Sequence, residues 1–195
     1  MKSFLRWIPA AALIWATAGC ALFGPSYRGP AVFDLPAPAV SENGAALPEC
    51  ELGTVRNLSG ADRRFLFRMK DGRMEPDEYS RWLLSPDRMF ERRLGEALTG
   101  GSSESELRNY LRIGATIRRF EFDRRENAAL LDVEFTVREF RDRLPQREKT
   151  QEFRIRAPIA GGGDAADCAA AMGRCFDEAA ADVRKMIENF NANRK

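Results

Sequence analysis

Residues 111–123 read LRIGATIRRFEFD. Leu111, Ile113, Ala115 and Ile117 alternate with other residues, and the apolar parity then switches to Phe120 and Phe122. Period-two alternation marks a half-buried strand, and one inserted residue, a β-bulge, would switch its parity, here near Arg118–Arg119. The pattern returns at Leu131, Val133, Phe135 and Val137, and again at Phe153, Ile155, Ala157 and Ile159. The charged links Asp123–Asn127 and Arg141–Lys149 join these three strands in the manner of hairpins. A long helical pattern follows. Asp164 opens it after Gly161-Gly162-Gly163, and Ala165, Cys168, Ala169, Met172, Cys175, Phe176, Ala179, Val183, Met186, Ile187 and Phe190 recur in steps of three and four. The small residues of its first half would let the helix lie close on a sheet. Gly173 inside it costs about 1 kcal/mol relative to alanine, so tight packing or a local irregularity must offset it.

Upstream of the three strands, Glu51 to Leu58 reads as a strand, and Arg63 to Met69 more clearly so, with Phe65, Phe67 and Met69 on one face. Lys70-Asp71-Gly72-Arg73 then signals a hairpin. A two-residue turn would set Met69 opposite Met74 and Arg68 opposite Glu75. Ser85-Pro86-Asp87 starts a helix, with an N-cap serine, proline at the first helical position and an acid in the first turn. Met89, Phe90, Leu94, Ala97 and Leu98 form its apolar stripe, and Gly100-Gly101 stops it. The order predicts an α+β fold. Two helices pack on one face of a mostly antiparallel sheet, and the long second helix is carboxyl-terminal.

The first twenty residues, MKSFLRWIPAAALIWATAGC, place Lys2 and Arg6 before an apolar run and small residues directly before Cys20. The run is too short for a stable membrane span and has the layout of a cleaved export signal. Its end resembles the bacterial lipobox, in which small residues precede a lipidated cysteine, although Thr17 stands where leucine is usual. The resemblance implies a signal peptide at 1–19, acylation of Cys20 (palmitate among the chains) and a membrane anchor. Ala21 is not the aspartate that retains such proteins at the inner membrane, which implies an outer-membrane address facing the periplasm. Pro25, Pro30, Pro36 and Pro38 with three glycines make 20–47 a tether, within which Ala31–Leu35 could add a short edge strand. Residues 48–195 then form a single α+β domain.

Loss of residues 1–19 removes two of 31 basic residues and none of 29 acidic ones, so the mature chain is near neutral and no basic excess draws it to nucleic acid. The chain has no histidine, which removes Ser-His-Asp and Cys-His catalysis and every histidine-containing metal site. Cys50, Cys168 and Cys175 lack metal or redox spacing. Cys168 and Cys175 on one helix lie roughly 10 Å apart, beyond disulfide reach. A bridge from Cys50 to one of them stays open, beside the plainer reading of small apolar core residues. The triple glycine lacks the Gly-Lys-Ser/Thr of a phosphate loop, and the acid after it would repel phosphate. Glu121, Asp123, Asp132 and Glu134 alternate among arginines as a solvated sheet face would. Catalytic residues, metal ligands and cofactors are therefore assigned to none, and the chain reads as no enzyme. Met69, Met74, Met89, Phe65, Phe67 and Phe90 read as core packing or as a groove for a lipid tail.

In order and spacing these pieces resemble the auxiliary lipoproteins of ABC-type transport systems, the outer-membrane partners of mammalian-cell-entry (MCE) proteins of the paraquat-inducible type. Phe33-Asp34-Leu35 matches an aromatic-x-Leu element after the lipidated cysteine. YSRWLLSP at 79–86 matches a tryptophan before a helix that begins at proline, and IGATIRRFEFD at 113–123 the strand with a parity switch. The resemblance implies a non-enzymatic lipoprotein that docks an ABC/MCE-type lipid transport system at the outer membrane. Its implied partners are an MCE-domain protein and the membrane, with lipid and a second copy of the chain as further candidates. Phe33, Leu35 and Trp82 are candidate partner or lipid contacts, and Trp82 reads also as a core or edge anchor. The alternative is a structural lipoprotein of another envelope machine, for outer-membrane protein or lipopolysaccharide assembly.

Overall fold

The computed structural model describes residues 29–37, 50–99 and 109–192. The expectations for the signal, for acylated Cys20 and for most of the tether lie outside the described residues. These residues form strands β1 (Ala31–Phe33), β2 (Cys50–Asn57), β3 (Arg64–Arg68) and β4 (Met74–Trp82), then helix α1 (Pro86–Thr99). Strands β5 (Asn109–Asp123), β6 (Ala128–Arg141) and β7 (Leu144–Pro158) and helix α2 (Ala165–Ala192) follow. The fold is α+β as expected, with one seven-stranded sheet in which β1-β4-β3-β5-β6-β7 run in order and β2 pairs with β5 off that path. Inward side chains of the sheet and the apolar stripes of both helices share one core.

The parity switch is a bulge. Ile117 pairs with Val133 and Arg119 with Asp132, which leaves Arg118 as the extra residue. Both halves of β5 therefore send apolar side chains to the helices, and Leu111, Ile113, Ile117, Phe120 and Phe122 are all buried. The bulge lies where β5 changes neighbours on its other edge. β2 runs parallel to its first half and β3 parallel to its last residues. A loop makes the step between β2 and β3. Asn57 Oδ1 accepts hydrogen bonds from Ser59 N and Ser59 Oγ, Asn57 Nδ2 donates to Ala61 O at 2.7 Å, and Gly60 takes a positive φ. With β1 beside β4, three of the pairings are parallel, and the long β5–β6 and β6–β7 ladders keep the sheet mostly antiparallel as expected.

Two connections differ from their sequence reading. The β3–β4 hairpin pairs Arg68 with Met74 and Phe67 with Glu75, one residue away from the expected register. Its loop is a turn closed by Gly72 N on Met69 O, with Gly72 at φ 88° and Met69 N bonded to Arg73 O. That is a three-residue loop, which needs a left-handed backbone only at glycine, where the two-residue alternative needs it at Asp71 also. The β6–β7 link is shorter than its charged sequence suggested. Asp142 and Arg143 both take positive φ, as a two-residue turn requires, so pairing resumes at Leu144. Polar residues occupy both faces of this edge stretch, which is why it showed no alternation.

Helix α2 begins as its acids dictate. Asp164 Oδ1 accepts from Asp167 N at 2.8 Å, and Asp167 Oδ2 reaches back to Gly163 N at 3.1 Å. Cys168 and Cys175 are buried thiols with no disulfide, as the core reading expected. Burial pushes their pKa values up to about 11 and about 12. Neither will react with a maleimide at pH 8 in the folded protein, and both will react in denaturant. Mass spectrometry after timed alkylation reads this, and fast native labelling of either would contradict the packing.

Candidate functional site

The segment 31–37 lies inside the stretch expected to be a tether, and separate physical contacts hold it along its length against the folded domain. Ala31, Val32 and Phe33 pair in parallel with Ser80, Arg81 and Trp82. Phe33 O accepts from Leu83 N at 2.7 Å. The ring of Phe33 lies 5.3 Å from Phe65, which stacks on Trp82 at 4.3 Å. Trp82 in turn meets Phe120 edge-on at 5.6 Å. Leu35 then joins the same buried core as these rings.

Polar contacts fix the turn between them. Asp34 Oδ1 accepts from Leu35 N at 2.8 Å and from Arg92 Nη2 on α1. The Arg92 guanidinium holds the Asp34 carboxyl below the usual carboxylate range, with its own burial opposing. Pro36 O accepts from Arg93 Nη2 at 2.7 Å, and Arg93 Nε lies 3.2 Å from Asp177 on α2. Arg93 is buried, so one cation joins α1, α2 and the incoming chain. Pro36 also accounts for the helix-interior glycine. A Cβ placed on Gly173 would stand 2.7 Å from Pro36 Cγ, so the proline packs where a side chain would otherwise be.

Two consequences can be measured. Because the folded Asp34 pKa is lowered, its stabilising link is present above the unfolded value and lost as pH falls through the folded one. Hydrogen exchange across Phe33–Ala37 will therefore quicken in acid, below the usual carboxylate range, and this change will be absent in Asp34→Asn. Gly173→Leu will overpack the Pro36 contact at about 1–3 kcal/mol and expose the same segment to exchange. Unchanged exchange in that variant would show that Pro36 does not depend on the gap.

Of the residues singled out in the sequence, Phe33, Leu35 and Trp82 meet at this junction. Trp82 is wholly buried and Leu35 nearly so, and neither offers a surface for a partner in this conformation. Cys20 lies outside the described residues. Asp34, Pro36, Arg92, Arg93, Gly173 and Asp177 were missed as members of this junction. Arg93 was visible in principle, since it falls on the stripe of Met89, Phe90 and Leu94, where a charge needs a buried partner.

The opposite face of the sheet was read as solvated, and that is only partly so. Glu121 and Asp123 are buried. Arg68 bonds Glu121 through Nε at 2.6 Å and Nη2 at 3.1 Å, and Arg119 Nε lies 3.2 Å away. The Arg68 and Arg119 guanidinium groups lie against the Glu121 carboxylate, which is almost wholly out of water. Arg68, Arg119 and Glu121, with Arg118, Asp132 and Arg154, line an open concavity of about 660 Å³. Burial raises the pKa of Asp132, with Arg119 opposing. Arg119 stands between the two acids, 3.9 Å from Asp132, so Glu121 and Asp132 share an ion-pair network. Met89, Phe65 and Phe90 are core residues with no exposed surface, and Met74 is exposed at the hairpin, so these side chains form no apolar groove. No cluster of potential metal ligands occurs among the described residues, and no described helix is long and apolar enough to cross a membrane.

A family model described as ABC-type transport auxiliary lipoprotein component matches residues 33–184. A solved structure of an uncharacterised protein superposes with a TM-score of 0.62 at 10% identity, over 82% of this chain and 99% of its own. A Xanthomonas campestris protein of the DUF330 family superposes with a TM-score of 0.57 at 13% identity, over 85% of this chain and 100% of its own. At these identities the likeness is one of fold. No protein of curated function matches significantly.

Proposed function

This chain belongs to the ABC-type transport auxiliary lipoprotein components, and from that premise we propose that it docks an MCE-type lipid transport assembly at the outer membrane. In this reading Cys20 carries the acyl anchor, the domain faces the periplasm, and an MCE-domain protein is its partner. The transporter supplies the energy, and this chain supplies position without chemistry of its own. The family match and the fixed entry of the tether support the proposal. Nine residues lie between Cys20 and Pro30, and the ten fully extended steps from one to the other span at most about 36 Å. Because the next residues are fastened to α1, α2 and the sheet edge, that length sets the reach of the whole domain. Confinement so near a membrane raises the local concentration of a docking surface without any new contact. The buried acids Glu121 and Glu139 are also ion-paired within the sheet, with Arg68 and Arg119 and with Arg141 and Arg147, which suits a structural role.

Transfer of labelled phospholipid between the two membranes tests this reading. Deletion of the gene will slow transfer, the wild-type chain will restore it, and Cys20→Ala at equal abundance will not. Full restoration by Cys20→Ala would remove the anchor from the mechanism. Transfer unaffected by deletion would remove lipid movement.

A further inference from the structure

Six large apolar side chains are more than a third exposed among the described residues: Val32, Leu58, Met74, Tyr79, Leu83 and Leu144. Three of them, Val32, Tyr79 and Leu83, crowd one place. Ser80 and Trp82 are buried, so the alternating residues Tyr79, Arg81 and Leu83 point outward from β4 and just beyond it. Leu83 continues the ladder through its bond to Phe33 O. Val32 is the register partner of Arg81, and Phe33, its neighbour, pairs with buried Trp82, so Val32 points outward as well. Tyr79, Val32 and Leu83 are 72%, 56% and 45% exposed, and together they surround Arg81 at the β1 edge of the sheet.

That edge is also where the chain arrives from Cys20. Pro30 precedes β1 directly, and Tyr79 lies one residue before Ser80, the register partner of Ala31. We infer that Val32, Tyr79 and Leu83 form a membrane-contact patch that lays the β1 edge on the lipid surface holding the anchor, an inference that rests on acylation of Cys20. The link of at most about 36 Å brings this edge to the bilayer more readily than any other part of the domain. The composition suits the headgroup boundary. Tyr79 is an aromatic with a polar tip, Arg81 can reach a phosphate while its stem lies on apolar groups, and two aliphatic side chains flank them. Three side chains would bind membrane weakly alone, and the anchor makes weak contact sufficient by holding the patch close. The patch therefore orients the domain and turns the concave, arginine-lined sheet face relative to the membrane.

Once residues 1–19 are removed the chain contains a single tryptophan, the buried Trp82, so an added one reports its own surroundings. Tyr79→Trp is made in the acylated full-length protein, purified from membranes and reconstituted into phosphatidylethanolamine–phosphatidylglycerol vesicles bearing brominated acyl chains. The expected result is loss of about half of the added emission, since interfacial groups sit roughly 5–10 Å into the boundary. Val32→Asp with Leu83→Asp will abolish that loss while the protein stays on the vesicles. Vesicle-bound protein whose added indole is not quenched would overturn the patch and leave the anchor standing. Protein that does not float with the vesicles would overturn the acylation on which the inference rests.

Discussion

Trp82→Ala will lower stability by about 3–5 kcal/mol, the cost typical of removing a buried aromatic side chain. At roughly 2–4 °C per kcal/mol for a domain of this size, the melting temperature falls by about 10 °C. Trp82 joins four strands. Its indole stacks on Phe65 of β3 at 4.3 Å and meets Phe120 of β5 edge-on, while its backbone, in β4, pairs with Phe33 of β1. Its Nε1 is buried with no hydrogen-bond partner, an energetic burden that the ring contacts outweigh. Trp82→Phe removes that donor and keeps a ring, so it will cost much less than the alanine variant. Urea unfolding of both variants checks the order. A loss below about 1 kcal/mol for alanine would show that the ring is replaceable and that the aromatic cluster does not hold the edge strand.

Arg93→Ala has the second-largest expected effect, and it acts locally. Its guanidinium is buried between Pro36 O and Asp177, so truncation takes the donor from the carbonyl and the ion-pair partner from the carboxylate. Breaking a wholly buried pair costs about 3–5 kcal/mol, and Asp177, which keeps some access to water, reduces this to about 2–3 kcal/mol. Hydrogen exchange should rise first in residues 31–37 and at the α1–α2 contact, while β5, β6 and β7 stay protected. Arg92→Ala is the control. Its partner Asp34 is as exposed as Arg92 itself, and such a pair is worth less than about 1 kcal/mol. Equal effects of the two variants, or a uniform loss of protection in Arg93→Ala, would contradict a site-specific clasp.

Much of this arrangement is legible in the residues. The Ile117-to-Phe120 change of parity is a bulge because side chains alternate strictly, and only an extra residue can restore Phe120 and Phe122 to the core. Gly173 announces a close approach, and the proline that fills the gap lies far earlier in the chain, at position 36, which no local pattern can reveal. The same limit hid the parallel partners of β5, since period two tells which face a residue takes and not which strand lies beside it. The β3–β4 register slipped by one residue because turn type, not side-chain matching, sets it, and Gly72 alone carries the left-handed backbone. Glu121 looked solvated among arginines, yet it is buried with the guanidinium groups of Arg68 and Arg119 against it. Trp82 stood in the right motif, and its burial follows from the rings that β3 and β5 bring to it from elsewhere in the chain.

The central claim is that an anchored domain holds a lipid-transport assembly at its membrane. Crosslinking in living cells from a carboxyl-terminal tag, with partners identified by mass spectrometry in wild-type and Cys20→Ala strains, tests it most directly. The account predicts an MCE-domain protein or its permease among the crosslinked partners, with recovery weakened when Cys20 is lost. Recovery of a different envelope machine, with no component of an MCE system, would contradict it.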